Sequence, residues 1–370
     1  MRKFIFVTGL MMAPLAGWAY DLNVNAEAAY LYHPATQTPV YTLNEDEQIA
    51  PASLTKLMTL YLLFDALEKG DVTLQTALPV SEKAWRKGGS KMFVEVGTSV
   101  TVDNLISGIT TSSGNDACIV VAEYLGGTEE GFAQMMNAQA KELGMTGTIF
   151  TNATGWPDEL MKTTAADMGK LAAAIIQNFP QYYDRFSQPQ FTFSNITQSN
   201  RNRLLGKNGV DGMKTGHTED AGYHLVASAD QDGERLVSVM MGTNGFTARE
   251  GESLKLLNYG FRLYDTVTLW QRGAEVITTP VWGGIAPEVT LETASAAAGY
   301  LPKDTEPPFD VQIKYAQNLP APITPGQKLG TLTYQLADKT YTTDLVAARG
   351  IPESDPIAKT FQKLFYRLGL

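Results

Sequence analysis

The sequence predicts an α+β fold, in which a sheet is interrupted by a helical insertion, followed by a small all-β domain. Three observations predict it. A helix opens at Ser53 and residues 102 to 178 are mostly helical, between flanks whose apolar spacing approaches two. After Thr266 the chain turns rich in Val, Thr, Ile and Tyr, with turn signals and no helical period. Both ends depart from this globular pattern.

At the N-terminus, Arg2 and Lys3 precede an apolar run from Phe4 to Leu15 and a small-residue site at Gly17-Trp18-Ala19. This reads as an export signal over residues 1–19, too short for a membrane span. Domain boundaries follow at 20–265, 266–350 and 351–370. Ala28 to Tyr32 and Pro39 to Leu43 read as strands joined through His33-Pro34-Ala35-Thr36. A helix opens near Ser53 and stops at Gly70. Trp85 to Gly89 reads as a basic loop and Met92 to Val96 as a strand. Helices follow around Leu105-Ile106-Ile109, from Asp116 to Gly126, from a Thr128 cap to Leu143, and from the Thr164-Ala165-Ala166-Asp167 box to Asn178. Strands then read as 190–196, 209–214, 222–229 and 235–242, with Asp232-Gly233 as a hairpin turn, in a mixed sheet. A helix from Arg249 to Tyr264 ends the domain. In the tail, Ile357, Phe361, Leu364, Phe365 and Leu368 share one helical face, and Lys359, Lys363 and Arg367 share the opposite one. That pattern suits an in-plane helix on an anionic membrane surface, against the plainer reading of a helix packed on the protein's own core.

The 370 residues carry a net charge of −10, or about −12 without the signal's two cations (−10 − 2). With no basic stripe and no phosphate-cradling loop, nucleic acid is not an expected partner. Cys118 is the only cysteine, so no intramolecular disulfide is possible; it reads as a small apolar core residue. Three histidines and no Cys/His cluster argue against a zinc site, and no metal or cofactor is expected. No G-x-S-x-G elbow supports a Ser-His-Asp triad.

Three short motifs remain, in order: Ser53-x-x-Lys56 at a helix start, Ser113-Gly114-Asn115 between helices, and Lys214-Thr215-Gly216 on a strand before a hairpin. Residues three apart share a helix face, so Lys56 can activate Ser53 if its amine is held neutral. Burial and a second cation, Lys214, would both lower its pKa. Each motif alone has a bland version as a helix start, a turn or a strand end. Together, in these contexts, they form the set found in penicillin-binding proteins and class A β-lactamases.

Over nearly its whole length the chain resembles the D-alanyl-D-alanine carboxypeptidases, low-molecular-mass penicillin-binding proteins of the 5/6 type. The resemblance rests on Pro51-Ala52-Ser53-Leu54-Thr55-Lys56, Ser113-Gly114-Asn115-Asp116-Ala117, the run from Val210 to Thr218, and Ala221-Gly222-Tyr223. It implies a penicillin-binding transpeptidase domain, a β-rich C-terminal domain and a membrane-anchoring tail on the periplasmic side of the inner membrane. It also implies roles. Ser53 would attack a D-Ala-D-Ala stem peptide of peptidoglycan or a β-lactam, Lys56 would take its proton, and Ser113 would pass a proton to the leaving amine. Asn115 would hold Lys56 and the substrate amide; Lys214, Thr215, Gly216 and Arg249 would bind the substrate and its carboxylate; Ser53 and His217 would supply the oxyanion N–H groups. The Arg86–Ser90 loop is shorter than the family's. Arg249 could instead pair with Glu250 or Glu252. A class A β-lactamase using Glu159, a D,D-endopeptidase and a non-catalytic wall-binding module are the alternatives.

Overall fold

The computed structural model describes residues 22–356, apart from 304, 306–309 and 337–338. They divide into a unit ending at Leu263 and another beginning at Tyr264. The expected export signal and the tail from Ile357 onward lie outside the described residues.

In the first unit, β1 (Ala28–His33) and β2 (Thr38–Leu43) form a hairpin. A 3-10 turn, Ala52–Thr55, leads into α1 (Lys56–Lys69), which ends where Gly70 adopts a φ of 76°. Lys56 to Phe64 are all buried, so α1 is a central helix covered on every side. The chain continues through β3 (Ala77–Pro79), α2 (Glu82–Arg86) and β4 (Ser99–Thr101). The helices α3 (Val102–Thr110), α4 (Asn115–Gly126), α5 (Glu129–Glu142) and α6 (Ala165–Asn178) complete the insertion. Thr128 and Thr164 cap α5 and α6 as their sequence predicts, accepting from the N–H groups of Gly131 and Asp167. After a small hairpin of β5 (Gln190–Phe193) and β6 (Ile196–Ser199) come β7 (Val210–Thr218), β8 (Gly222–Gln231), β9 (Glu234–Thr243) and α7 (Phe246–Leu263).

The main sheet runs β2-β1-β9-β8-β7 and every pair is antiparallel, where the sequence suggested a mixed sheet. Helices cover both faces. Gly169 of α6 approaches the Tyr30 ring and Gly260 of α7 approaches Leu31 and Leu236, and adjacent residues of β1 point to opposite faces. This ordering leaves β7 at an edge, the position that decides the site.

Four expectations are corrected. Met92 to Val96 is not a strand, because the N–H groups of Met92, Phe93 and Val94 donate to the buried Asp116 carboxylate at 2.9, 2.8 and 3.2 Å. Charge-assisted bonds of that kind outcompete a two-stranded ladder. Trp85 and Arg86 belong to α2, whose Ser81 cap accepts from the Ala84 N–H. The expected strand 190–196 breaks at Ser194 and Asn195, whose φ values of 48° and 61° make a tight hairpin turn. Helix α7 starts at Phe246, which puts Arg249 within its first turn.

Among its described residues, the second unit is β-rich. Strands Val311–Tyr315, Lys328–Leu336, Lys339–Ala347, Glu288–Thr293, Glu275–Trp282 and Leu319–Pro320 form a six-stranded sheet in that order, and Tyr264–Trp270 pairs with Ala297–Pro302. Leu291, Leu332 and Leu345 lie at the centre of its core.

Candidate active site

The first motif lies on a strained, clamped turn. Ala52 has a φ of 47°, unusual for a residue with a side chain, and Ser53 follows it in the 3-10 turn. Lys56 is the first residue of α1 and fully buried. Its Nζ lies 2.8 Å from Ser53 Oγ and 2.6 Å from the carbonyl oxygen of Thr154. The Lys56 amine is pushed down to about 8, chiefly by burial, with Cys118 and Asp116 opposing and Arg201 and Lys87 adding to the shift. A neutral amine can donate to Thr154 O and accept from the Ser53 hydroxyl at once.

The partner of Lys56 comes from a loop that sequence reasoning did not single out. Asn152 Oδ1 accepts from the N–H groups of Thr154, Gly155 and Trp156 and from the Thr154 hydroxyl, at 2.9 to 3.1 Å. Thr59 Oγ1 donates to Ala153 O at 2.7 Å, pinning the loop to α1. Gly155, at a φ of 78°, packs so tightly on the turn that a Cβ there would lie 1.7 Å from Ala52 O. The Asn-x-x-Gly spacing of Asn152 to Gly155 was the available signal, a side chain capping its own loop beside a glycine.

At the second motif, Ser113 is buried with a φ of 58°. The Asn115 amide donates to Gly88 O at 2.8 Å, and its backbone N–H donates to Ser90 O at 2.7 Å. No hydrogen bond joins Asn115 to Lys56 among the described residues. The Asn115 amide is instead engaged by the Gly88–Gly89 loop. Gly88 and Gly89 sit between Asn115 and the Trp156 ring, and a Cβ on Gly89 would come within 2.7 Å of Asn115 Nδ2. Lys87 caps the arrangement, its Nζ 5.2 Å from the centre of the Trp156 ring.

The third motif occupies the edge strand β7, facing the Ser53 turn. Lys214 is buried, and its Nζ donates to Thr215 O at 2.9 Å. Burial holds its amine well below the ordinary lysine range, with Lys56 and Arg201 adding to the effect. The two buried ammonium groups repel each other, which disfavours the doubly charged pair. Arg201 and Lys87 also lower Lys56, and neither was singled out by the sequence. Arg201 lies in a polar loop without periodicity, and its Nε donates to Ser112 O at 3.1 Å beside the second motif. A Cβ on Gly216 would stand 3.2 Å from Pro51 O, so this glycine lets β7 approach the turn as well as leaving its edge open. His217 is exposed and its ring lies 4.0 Å from that of Tyr223.

Arg249 is buried between Tyr223 and Phe246, its guanidinium 6.0 and 5.3 Å from their ring centres. One nitrogen lies 3.9 Å from Glu250 and another donates to His224 O at 3.4 Å, while Nε has no hydrogen-bond partner among the described residues. Glu252 bonds to Lys255 instead. Cys118 is buried, and loss of solvent pushes its thiol up to about 12, as a packed apolar residue requires. Glu159 is exposed and lines a cavity of about 290 Å³ beside Ala50, Pro51 and Ala52. It makes no bond to Ser53 or Lys56, whose neighbour is the Thr154 carbonyl.

A serine activated by a buried lysine, beside a second lysine on an open strand edge, defines a serine acyl-transfer enzyme of the penicillin-binding class. Comparison with known proteins agrees. The D-alanyl-D-alanine carboxypeptidase family matches residues 16–245, and the penicillin-binding protein 5 C-terminal domain matches 264–353. D-alanyl-D-alanine carboxypeptidase DacC of Escherichia coli (strain K12) is 39% identical over 86% of this chain and 82% of its own length. DacA of the same strain is 35% identical over 97% and 94%. Penicillin-binding protein 5 from Haemophilus influenzae superposes with a TM-score of 0.80 at 35% identity, over 90% of this chain and 98% of that one. Penicillin-binding protein D2 from Listeria monocytogenes, in its ampicillin-bound form, matches 65% of this chain and 99% of that one, with a TM-score of 0.60 at 30% identity. The chain belongs to the D-alanyl-D-alanine carboxypeptidase family, as a serine-type enzyme of the penicillin-binding protein 5/6 kind.

Proposed function

We propose that this carboxypeptidase trims the terminal D-alanine from peptidoglycan pentapeptide stems through an acyl-enzyme on Ser53. The observation that carries this is the buried Lys56 amine, lowered to about 8 and 2.8 Å from Ser53 Oγ. The substrate lies along the open edge of β7, as an added strand. Lys56 takes the hydroxyl proton as Oγ attacks the penultimate carbonyl. Negative charge on that oxygen is met by the backbone N–H groups of Ser53 and His217; among the described residues no backbone acceptor takes the Ser53 N–H. When the peptide bond breaks, Ser113 delivers a proton to the leaving amine. Water then cleaves the ester and releases the shortened stem, regenerating Ser53.

Arg249, Lys214 and Thr215 recognise the terminal carboxylate. The unpartnered Nε of the buried Arg249 supports that role. Asn115 positions the substrate amide from the side held by Gly88. β-Lactams acylate Ser53 along the same path, as the ampicillin-bound relative suggests. Glu159 does not act in deacylation, so the acyl-enzyme with penicillin is long-lived. We assign residues 1–19 to export and the tail from Ile357 onward to attachment at the periplasmic face of the inner membrane, with the second unit as spacer.

Product analysis on purified pentapeptide muropeptides tests the reading. Release of free D-alanine, abolished in Ser53→Ala, is expected; cleavage of cross-linked dimers in preference would establish an endopeptidase. Deleting residues 356–370 should move the protein to the soluble fraction, and unchanged membrane association would refute the anchor.

A further inference from the structure

His224 is buried in β8 and belongs to none of the three motifs, yet it touches the backbone of the nucleophile turn. Its Nδ1 accepts from the Gly242 N–H at 3.0 Å. The other nitrogen, Nε2, therefore carries the ring proton and donates to Ala50 O at 3.0 Å. Full burial pushes the imidazole down to about 4, so it keeps this neutral tautomer throughout the neutral range.

The location gives the bond its significance. His224 is the register partner of Gly216 on β7, and its neighbour Tyr223 is the partner of His217. With no side chain on Gly216, the β8 histidine reaches Ala50, two residues before the strained Ala52 and three before Ser53. One ring thus links the segment that presents the Ser53 N–H to the strand pair that presents the His217 N–H. Gly155 and Gly216 press on the same turn but act only by steric contact. Of these three clamps, His224 alone makes a directional bond to it.

We propose that His224 is a positioning residue that fixes the spacing of the two oxyanion donors through Ala50. The inference rests on the oxyanion assignment given under Proposed function. Small displacements of preorganised donors are felt mainly in the transition state, so loss of this bond should lower turnover and spare substrate binding.

The experiment compares the full-length chain with His224→Phe, His224→Met and His224→Gln. Phenylalanine fills the space without a donor, methionine does so with more freedom to repack, and the glutamine amide reaches the Nε2 position. D-alanine release and the affinity for a peptide boronic acid, which mimics the tetrahedral state, are measured on each variant that melts within a few degrees of wild type. In Phe or Met, kcat is expected to fall about ten- to a hundredfold with KM within about threefold, and boronate affinity to fall in proportion. Gln is expected to recover kcat to within about threefold of wild type. Unchanged kcat in a folded Phe or Met variant, a loss confined to KM, or a Gln variant as impaired as Phe would each overturn the proposal. If the wild-type chain released no D-alanine, the functional assignment itself would fall first, and this inference with it.

Discussion

The sharpest prediction concerns how acylation of Ser53 depends on pH. A lysine at its ordinary pKa near 10.5 is neutral in about one molecule in three thousand at pH 7. With the Lys56 amine lowered to about 8, about one in eleven is neutral at pH 7 and about ten in eleven at pH 9. The second-order rate of acylation by penicillin should therefore rise about tenfold between these values and level off above. Stopped-flow or quenched labelling of Ser53 across pH 6 to 10 measures it. A rate still climbing in proportion to hydroxide at pH 10, or one flat from 7 to 9, would refute the role of Lys56 as base. Stability provides an independent check. Because folding lowers this pKa, the unfolded chain binds more protons between about 8 and 10.5. The resulting penalty is fully present below about 8, and relief comes as pH rises towards 10.5. At pH 7 it is about 3 kcal/mol, set against the loss of the bonds to Ser53 and Thr154 when the amine is removed. Lys56→Met should therefore be inactive yet at least as stable as wild type at pH 7; a marked fall in melting temperature would mean that the buried amine is a net stabiliser.

Gly155→Ala forces a Cβ against Ala52 O at a φ of 78°, and we expect at least about 3 kcal/mol of destabilisation or a displaced turn, read as lost melting temperature or lost penicillin labelling. Arg249→Ala should raise KM for a free-carboxylate peptide about tenfold or more while kcat changes less, in steady-state D-alanine assays. Glu159→Gln should leave the lifetime of the penicilloyl-enzyme unchanged by mass spectrometry; a clear lengthening would point to lactamase-type deacylation.

Much of this was legible in the chain. Ser53 and Lys56 could be paired because helical spacing is local, and the caps at Thr128 and Thr164 because they act over three residues. The strands of the second unit showed in their composition. Met92 to Val96 was misread because its partner, Asp116, lies over twenty residues away and competes through a buried carboxylate. Arg201 and Asn152 were missed because neither sits in a periodic segment, and their weight comes from what folds against them.

By itself the sequence determined which groups are available: a serine and lysine on one helical turn, a second lysine on a strand, and no G-x-S-x-G elbow for a triad. It also determined the order of the three motifs, and with it the family. Only the tertiary structure decided what Lys56 is. Its pKa follows from complete burial and from Arg201 and Lys87, charges far apart in the chain, since desolvation and charge act through space. The fold likewise left the β7 edge open and brought the carbonyls of Ala50 and Thr154 within reach of His224 and Lys56. No local pattern encodes a backbone carbonyl's place.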